Sequence, residues 1–70
     1  MEPTLGEKIK TYRKKMGLTQ EELSKEAGLS KMTIRRYETD QRIPSIITAS
    51  SIAFALKIPV TALIGNEENN

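Results

Sequence analysis

The chain has no cysteine, no histidine and no tryptophan. Without thiols there is no disulfide stapling. Without thiols or imidazoles there is no Cys/His metal site and no catalysis that depends on either group. Absent cysteine fits a reducing compartment, and a cytoplasmic location is expected. The opening MEPTLGEK lacks the basic-then-apolar order of a secretory signal. No hydrophobic run is long enough to cross a bilayer: the most apolar region, residues 45–65, is broken by serines, threonines, Lys57 and Pro59. No glycine-rich phosphate loop is present, and no serine has a base partner. Glu21 and Glu22 are adjacent and point about 100° apart on a helix, so they form no catalytic dyad. The expectation is a binding protein with no enzymatic activity and no cofactor.

Seventy residues make one domain at most. A chain of this size buries only about 60% of its unfolded surface, so its core is thin. The net charge is +2. Residues 66–70, NEENN, read as a disordered acidic tail, and without Glu67 and Glu68 the balance is 11 − 7 = +4. Lys8 to Lys15 and Lys31 to Arg42 carry the basic clusters, with Glu21, Glu22 and Glu26 between them. Such a surface suits nucleic acid, but also an anionic membrane or an acidic protein.

Capping signals divide the chain into five helices. Thr4 with Glu7 and Thr19 with Glu22 are capping boxes; Ser30 and Ser45 are further N-cap candidates. Gly17 and Gly28 supply stops. Helical spacing predicts an inward stripe of Leu5, Ile9, Tyr12 and Met16 on the first helix. It predicts Leu23 and Ala27 on the second, and Ile34, Tyr37 and Glu38 on the third. The fourth helix is expected to bury Ile46, Ala49, Ile52, Ala53 and Leu56, with Phe54 at its margin. In the short fifth, Leu63 and Ile64 are expected to cap the core. The fold class is all-α, with no strand candidate.

TQEELSKEAGLSKMTIRRYE (residues 19–38) places two short helices back to back. Ser24 is small enough for a close crossing, Gly28 accepts the positive backbone angle of the turn, and Leu23, Leu29 and Ile34 tie both helices to the body. This is a helix-turn-helix, which turns Met32, Arg35 and Arg36 outward.

Residues 5 to 64 resemble the lambda-repressor-like, Cro/C1-type (XRE) helix-turn-helix family. The resemblance rests on LGEKIKTYRKKMGLTQEELSKEAGLS, IRRYE, RIPS and AFALKIPVTALI in that order. It implies a compact five-helix domain with the helix-turn-helix at helices 2 and 3, spanning residues 5–65 after an N-terminal arm of residues 1–4. It implies that Gln20 touches a DNA phosphate and that Arg13 and Glu38 form a partly buried ion pair. Ser30, Lys31, Met32 and Arg36 would face base edges or adjoining backbone, Arg35 would reach a phosphate, and Arg42 joins this DNA-facing set.

The chemistry of those residues agrees with such roles. Helix N-termini at Gln20 and Ser30 attract phosphate. Lys31 and Arg36 can donate to guanine, and Met32 can pack on a thymine methyl. The implied function is sequence-specific binding of a near-palindromic double-stranded operator by a regulator, most often a repressor. The implied assembly is a weak homodimer through Ile58, Val60 and Ile64, or the N-terminal domain of a larger dimeric protein. A helical protein-interaction module or antitoxin is the alternative. Three positions depart from the family pattern: Asp40 and Lys57 stand where glycine is usual, and Pro59 where a capping serine is common.

Overall fold

The computed structural model describes residues 2–65. Met1 and the tail at 66–70 lie outside them. The helices are α1 (Leu5–Lys15), α2 (Gln20–Ala27), α3 (Lys31–Glu38), α4 (Ile46–Leu56) and α5 (Thr61–Ile64), with no strand among the described residues.

The starts follow from the capping residues. The Thr4 and Thr19 hydroxyls accept from the N–H groups of Glu7 (3.1 Å) and Glu22 (3.0 Å), and each glutamate accepts in return from the cap N–H at 2.8 Å. The Ser30 and Ser45 hydroxyls accept from Thr33 and Thr48 N–H, both at 3.1 Å. α5 has no side-chain cap, since its N-cap position is Val60, which carries no hydrogen-bonding side chain.

The ends share one device. Each of the four longer helices is followed by a left-handed residue, Gly17, Gly28, Asp40 and Lys57, with φ between 59° and 74°. The next residue then donates back to a carbonyl five positions earlier: Leu18 to Arg13, Leu29 to Ser24, Gln41 to Arg36 and Ile58 to Ala53. This closure satisfies carbonyls that the helix leaves open. Glycine adopts it freely, whereas Asp40 and Lys57 do so at a backbone cost of about 1–3 kcal/mol each. Asp40 gains something in exchange. Its carboxylate accepts from Thr4 Oγ1 at 2.8 Å and from Gly6 N–H at 3.3 Å, tying the exit of α3 to the start of α1.

Packing joins α1 to α3, α2 to both α3 and α4, and α5 to α1 and α4. Every helix contributes to the centre: Ile9, Leu23, Ile34, Ile52, Leu56 and Leu63 are fully buried. Ser24 is buried on α2, its hydroxyl donating to Glu21 O at 2.6 Å. Gly6 is also buried, a position that the apolar pattern did not mark. A Cβ there would meet the Tyr37 carbonyl oxygen and lie 2.6 Å from Asp40 Oδ1. Gly6→Ala is therefore expected to cost about 1–3 kcal/mol by forcing α1 off α3. Thermal unfolding followed by circular dichroism checks this, and an unchanged midpoint would refute it.

Several expected core positions are exposed. Met16 follows the last residue of α1 and is 41% exposed. Ile46 is 62% exposed because it stands about 120° around α4 from Ile52. Ala55, only about 60° from Ile52, is buried instead. Phe54 points away from the core rather than along its margin, and Ile64 turns out beside the buried Leu63. Ile58 and Val60, expected as dimer contacts, are half-buried against the core.

Candidate nucleic-acid interface

α3 presents two unlike sides. Ile34, Tyr37 and Glu38 are buried, while Lys31, Met32, Arg35 and Arg36 are exposed. The four exposed residues are related by three- and four-residue steps, which puts them on a common surface of the helix. At the N-terminal end, Ser30 caps the helix and its hydroxyl lies 2.8 Å from that of Thr33. At the other end, Thr39 Oγ1 donates to Arg35 O at 2.9 Å.

A buried carboxylate joins three parts of the fold behind this surface. Glu38 Oε2 accepts from Arg13 Nε at 2.6 Å, and Oε1 accepts from Arg13 Nη2 at 3.1 Å. Gln20 Nε2 donates to the same Oε1 at 3.0 Å, and Arg13 Nη1 donates to Leu18 O at 2.8 Å. α1, the start of α2 and the end of α3 are thereby referenced to one group. The side chains of Arg13 and Glu38 are 10% and 1% exposed, so the pair is shielded from water.

A shallow cleft opens at the start of α2, lined by Arg13, Thr19, Gln20, Glu21 and Lys31. The first N–H groups of α2 have no partners within the helix, and the helix dipole is positive there. Gln20 and Lys31, eleven positions apart, thus share one cleft. Met32, Arg35 and Arg36 continue along α3. Arg42 is exposed on the loop beyond, its N–H donating to Arg36 O at 3.3 Å, which sets it at the far end of the helix from Ser30. Thr19 in the cleft was read from sequence only as a cap. No group of side chains able to hold a metal occurs among the described residues. No helix among them is long and apolar enough to cross a membrane.

The model of the helix-turn-helix family HTH_3 matches residues 9–63. The chain belongs to this lambda-repressor-like, Cro/C1-type family. It is 41% identical over 64 residues to the immunity repressor protein of Bacillus phage phi105, covering 91% of this chain and 44% of the phage protein. The chain therefore spans less than half the length of that relative. Among solved structures, SinR, the master regulator for biofilm formation, in complex with DNA superposes with a TM-score of 0.84. The identity is 30%, over 89% of this chain and 100% of that one. The P22 c2 repressor in complex with a synthetic operator gives a TM-score of 0.83 at 27% identity, over 89% and 94% of the two chains.

Proposed function

We propose that this domain binds double-stranded DNA sequence-specifically, as the DNA-binding part of a prokaryotic or phage transcriptional repressor. α3 enters the major groove. The observation that carries this reading is the two-sided α3: a basic outer surface on a short helix whose inner surface is locked into the core. The DNA complexes of SinR and the P22 c2 repressor, and the phage immunity repressor, support it. In this reading the domain acts by recognition without catalysis, in the cytoplasm, where an operator would be met.

The division of labour follows from chemistry. Gln20 keeps one amide hydrogen for a phosphate while Glu38 holds the other. The α2 N-terminus and Lys31 add positive potential around that phosphate. Ser30 caps α3 beside the backbone, Met32 offers apolar contact to a thymine methyl, and Arg36 donates to guanine O6 and N7. Lys31 lies where it can reach either the phosphate or a base edge. Arg35 and Arg42 contact backbone on either side of the groove. Two copies on a near-palindromic operator would place half-sites about one helical turn apart.

Selection of bound oligonucleotides from a random pool, followed by fluorescence anisotropy on the selected duplex, tests the reading. The expected result is an affinity at least about a hundredfold above random duplex, falling steeply with salt. Equal affinity for both duplexes would refute it. Arg36→Ala is expected to cost about 1–3 kcal/mol and to relax preference at one base pair. A uniform loss over all bases at that position would make Arg36 a phosphate contact instead.

A further inference from the structure

Asp40 does more than close the end of α3. Of the four left-handed residues that follow the longer helices, two are glycine and Lys57 carries a cation. Asp40 alone brings acceptor oxygens, and both are turned onto the start of α1. Oδ2 accepts from Thr4 Oγ1 at 2.8 Å and Oδ1 from Gly6 N–H at 3.3 Å. Gly6 N–H is a first-turn donor that α1 cannot satisfy itself, and the positive end of the helix dipole favours an anion there. The approach depends on Gly6, since a Cβ at that position would lie 2.6 Å from Oδ1. No cation pairs with Asp40 among the described residues, so the carboxylate leaves Arg35, Arg36 and Arg42 open to a partner.

The link to α1 anchors the loop between α3 and α4. The Gln41 and Arg42 N–H groups both donate to Arg36 O, at 2.9 and 3.3 Å. At the far side Pro44 is buried, and proline restricts Ile43 before it to extended backbone. Gln41, Arg42 and Ile43 are exposed between these two anchors. Arg42 is thus the one cation in a three-residue span whose backbone is held at both ends. The geometry points to Asp40 as a positioning residue: through Thr4 and Gly6 it holds the loop so that Arg42 meets the DNA backbone already in place. This rests on the DNA-binding reading and adds to it a residue that acts through another. A preset loop leaves only the Arg42 side chain to order on binding. Glycine at position 40 would keep the turn but release the loop from α1, and the contribution of Arg42 should fall with it.

A double-mutant cycle on DNA affinity tests this coupling. Fluorescence anisotropy on the selected duplex should show Arg42→Ala weakening the parent chain about fivefold and lowering the salt slope by about 1. In Asp40→Gly the same change should weaken binding by less than about twofold. Asp40→Asn removes the charge but keeps tolerance of the left-handed angle and an oxygen that accepts, so Arg42→Ala should again cost about fivefold there. That rescue separates position from charge. Melting alone would not register the role, because glycine relieves the backbone as it removes two hydrogen bonds. Amide hydrogen exchange without DNA gives a second readout. The Gln41 and Arg42 N–H groups should exchange at least about tenfold faster in Asp40→Gly and near the parent rate in Asp40→Asn. An Arg42→Ala effect of equal size in the parent and in Asp40→Gly would overturn the inference, as would loop exchange unchanged in Asp40→Gly. So would an Asp40→Asn chain in which Arg42 matters no more than in Asp40→Gly. A parent chain with equal affinity for selected and random duplex would refute the DNA-binding reading and this inference with it, a different result from any of those.

Discussion

Glu38→Ala should remove a large part of this domain's stability. The substitution removes both oxygens that face the Arg13 guanidinium and the acceptor for Gln20, leaving a charge only 10% exposed without its counter-ion. Breaking a buried pair from one side costs about 3–5 kcal/mol. Small domains have only about 5–15 kcal/mol in total. Urea denaturation of the variant beside the parent chain measures the difference. The loss should come from the stranded charge and not from missing attraction. Arg13→Met combined with Glu38→Leu should therefore recover most of the stability, since apolar replacements of buried pairs are often neutral. A single variant with an unchanged denaturation midpoint would show that the pair holds nothing together.

Ile34→Ala strikes the same helix from its apolar side. Ile34 is fully buried and is the main apolar anchor of α3, helped by Tyr37. Truncating a buried isoleucine to alanine costs about 2–5 kcal/mol, the upper end applying where the surroundings cannot collapse. Here α1, α2 and α3 converge around a core with one fully buried large side chain from each, which leaves little that can move inward. The expected outcome is a loss near the middle of that range in urea denaturation. DNA affinity should fall further than the folded fraction alone explains, because α3 would no longer be held at a fixed angle. Affinity that tracks the folded fraction one for one would show that the helix keeps its pose without this anchor.

The legible parts of the sequence were those where a single residue type has a single local job. The threonine–glutamate pairs at 4 and 7 and at 19 and 22 form reciprocal caps in the structure, and Gly17 and Gly28 take the left-handed angle. α3 was equally readable, because its apolar and charged residues alternate at the helical period. α4 was not. Its sequence IITASSIAFAL is apolar or small on nearly every side, so periodicity could not say which isoleucine faces in. Ile46 and Phe54 were accordingly misplaced, and Ala55 was overlooked. Gly6 and Asp40 were opaque for a different reason. Their roles arise between segments more than thirty residues apart, where the Asp40 carboxylate meets the first turn of α1. Composition and spacing carry no signal of such an encounter. The shared cleft of Gln20 and Lys31 belongs to the same kind, since it depends on the angle at which α3 leaves the turn.

The pinning of α3 at both ends bears on how it would meet a partner. With Ser30 and Leu29 fixing its entry, and Glu38 and Asp40 its exit, the helix can neither slide nor roll by a residue without breaking a buried contact. Its backbone is already in the shape that recognition requires, and only the tips of a few long side chains must surrender rotamer freedom on association. Discrimination between one target and another then falls to the identity of those tips, so exchanging them should retarget the protein while leaving its scaffold intact.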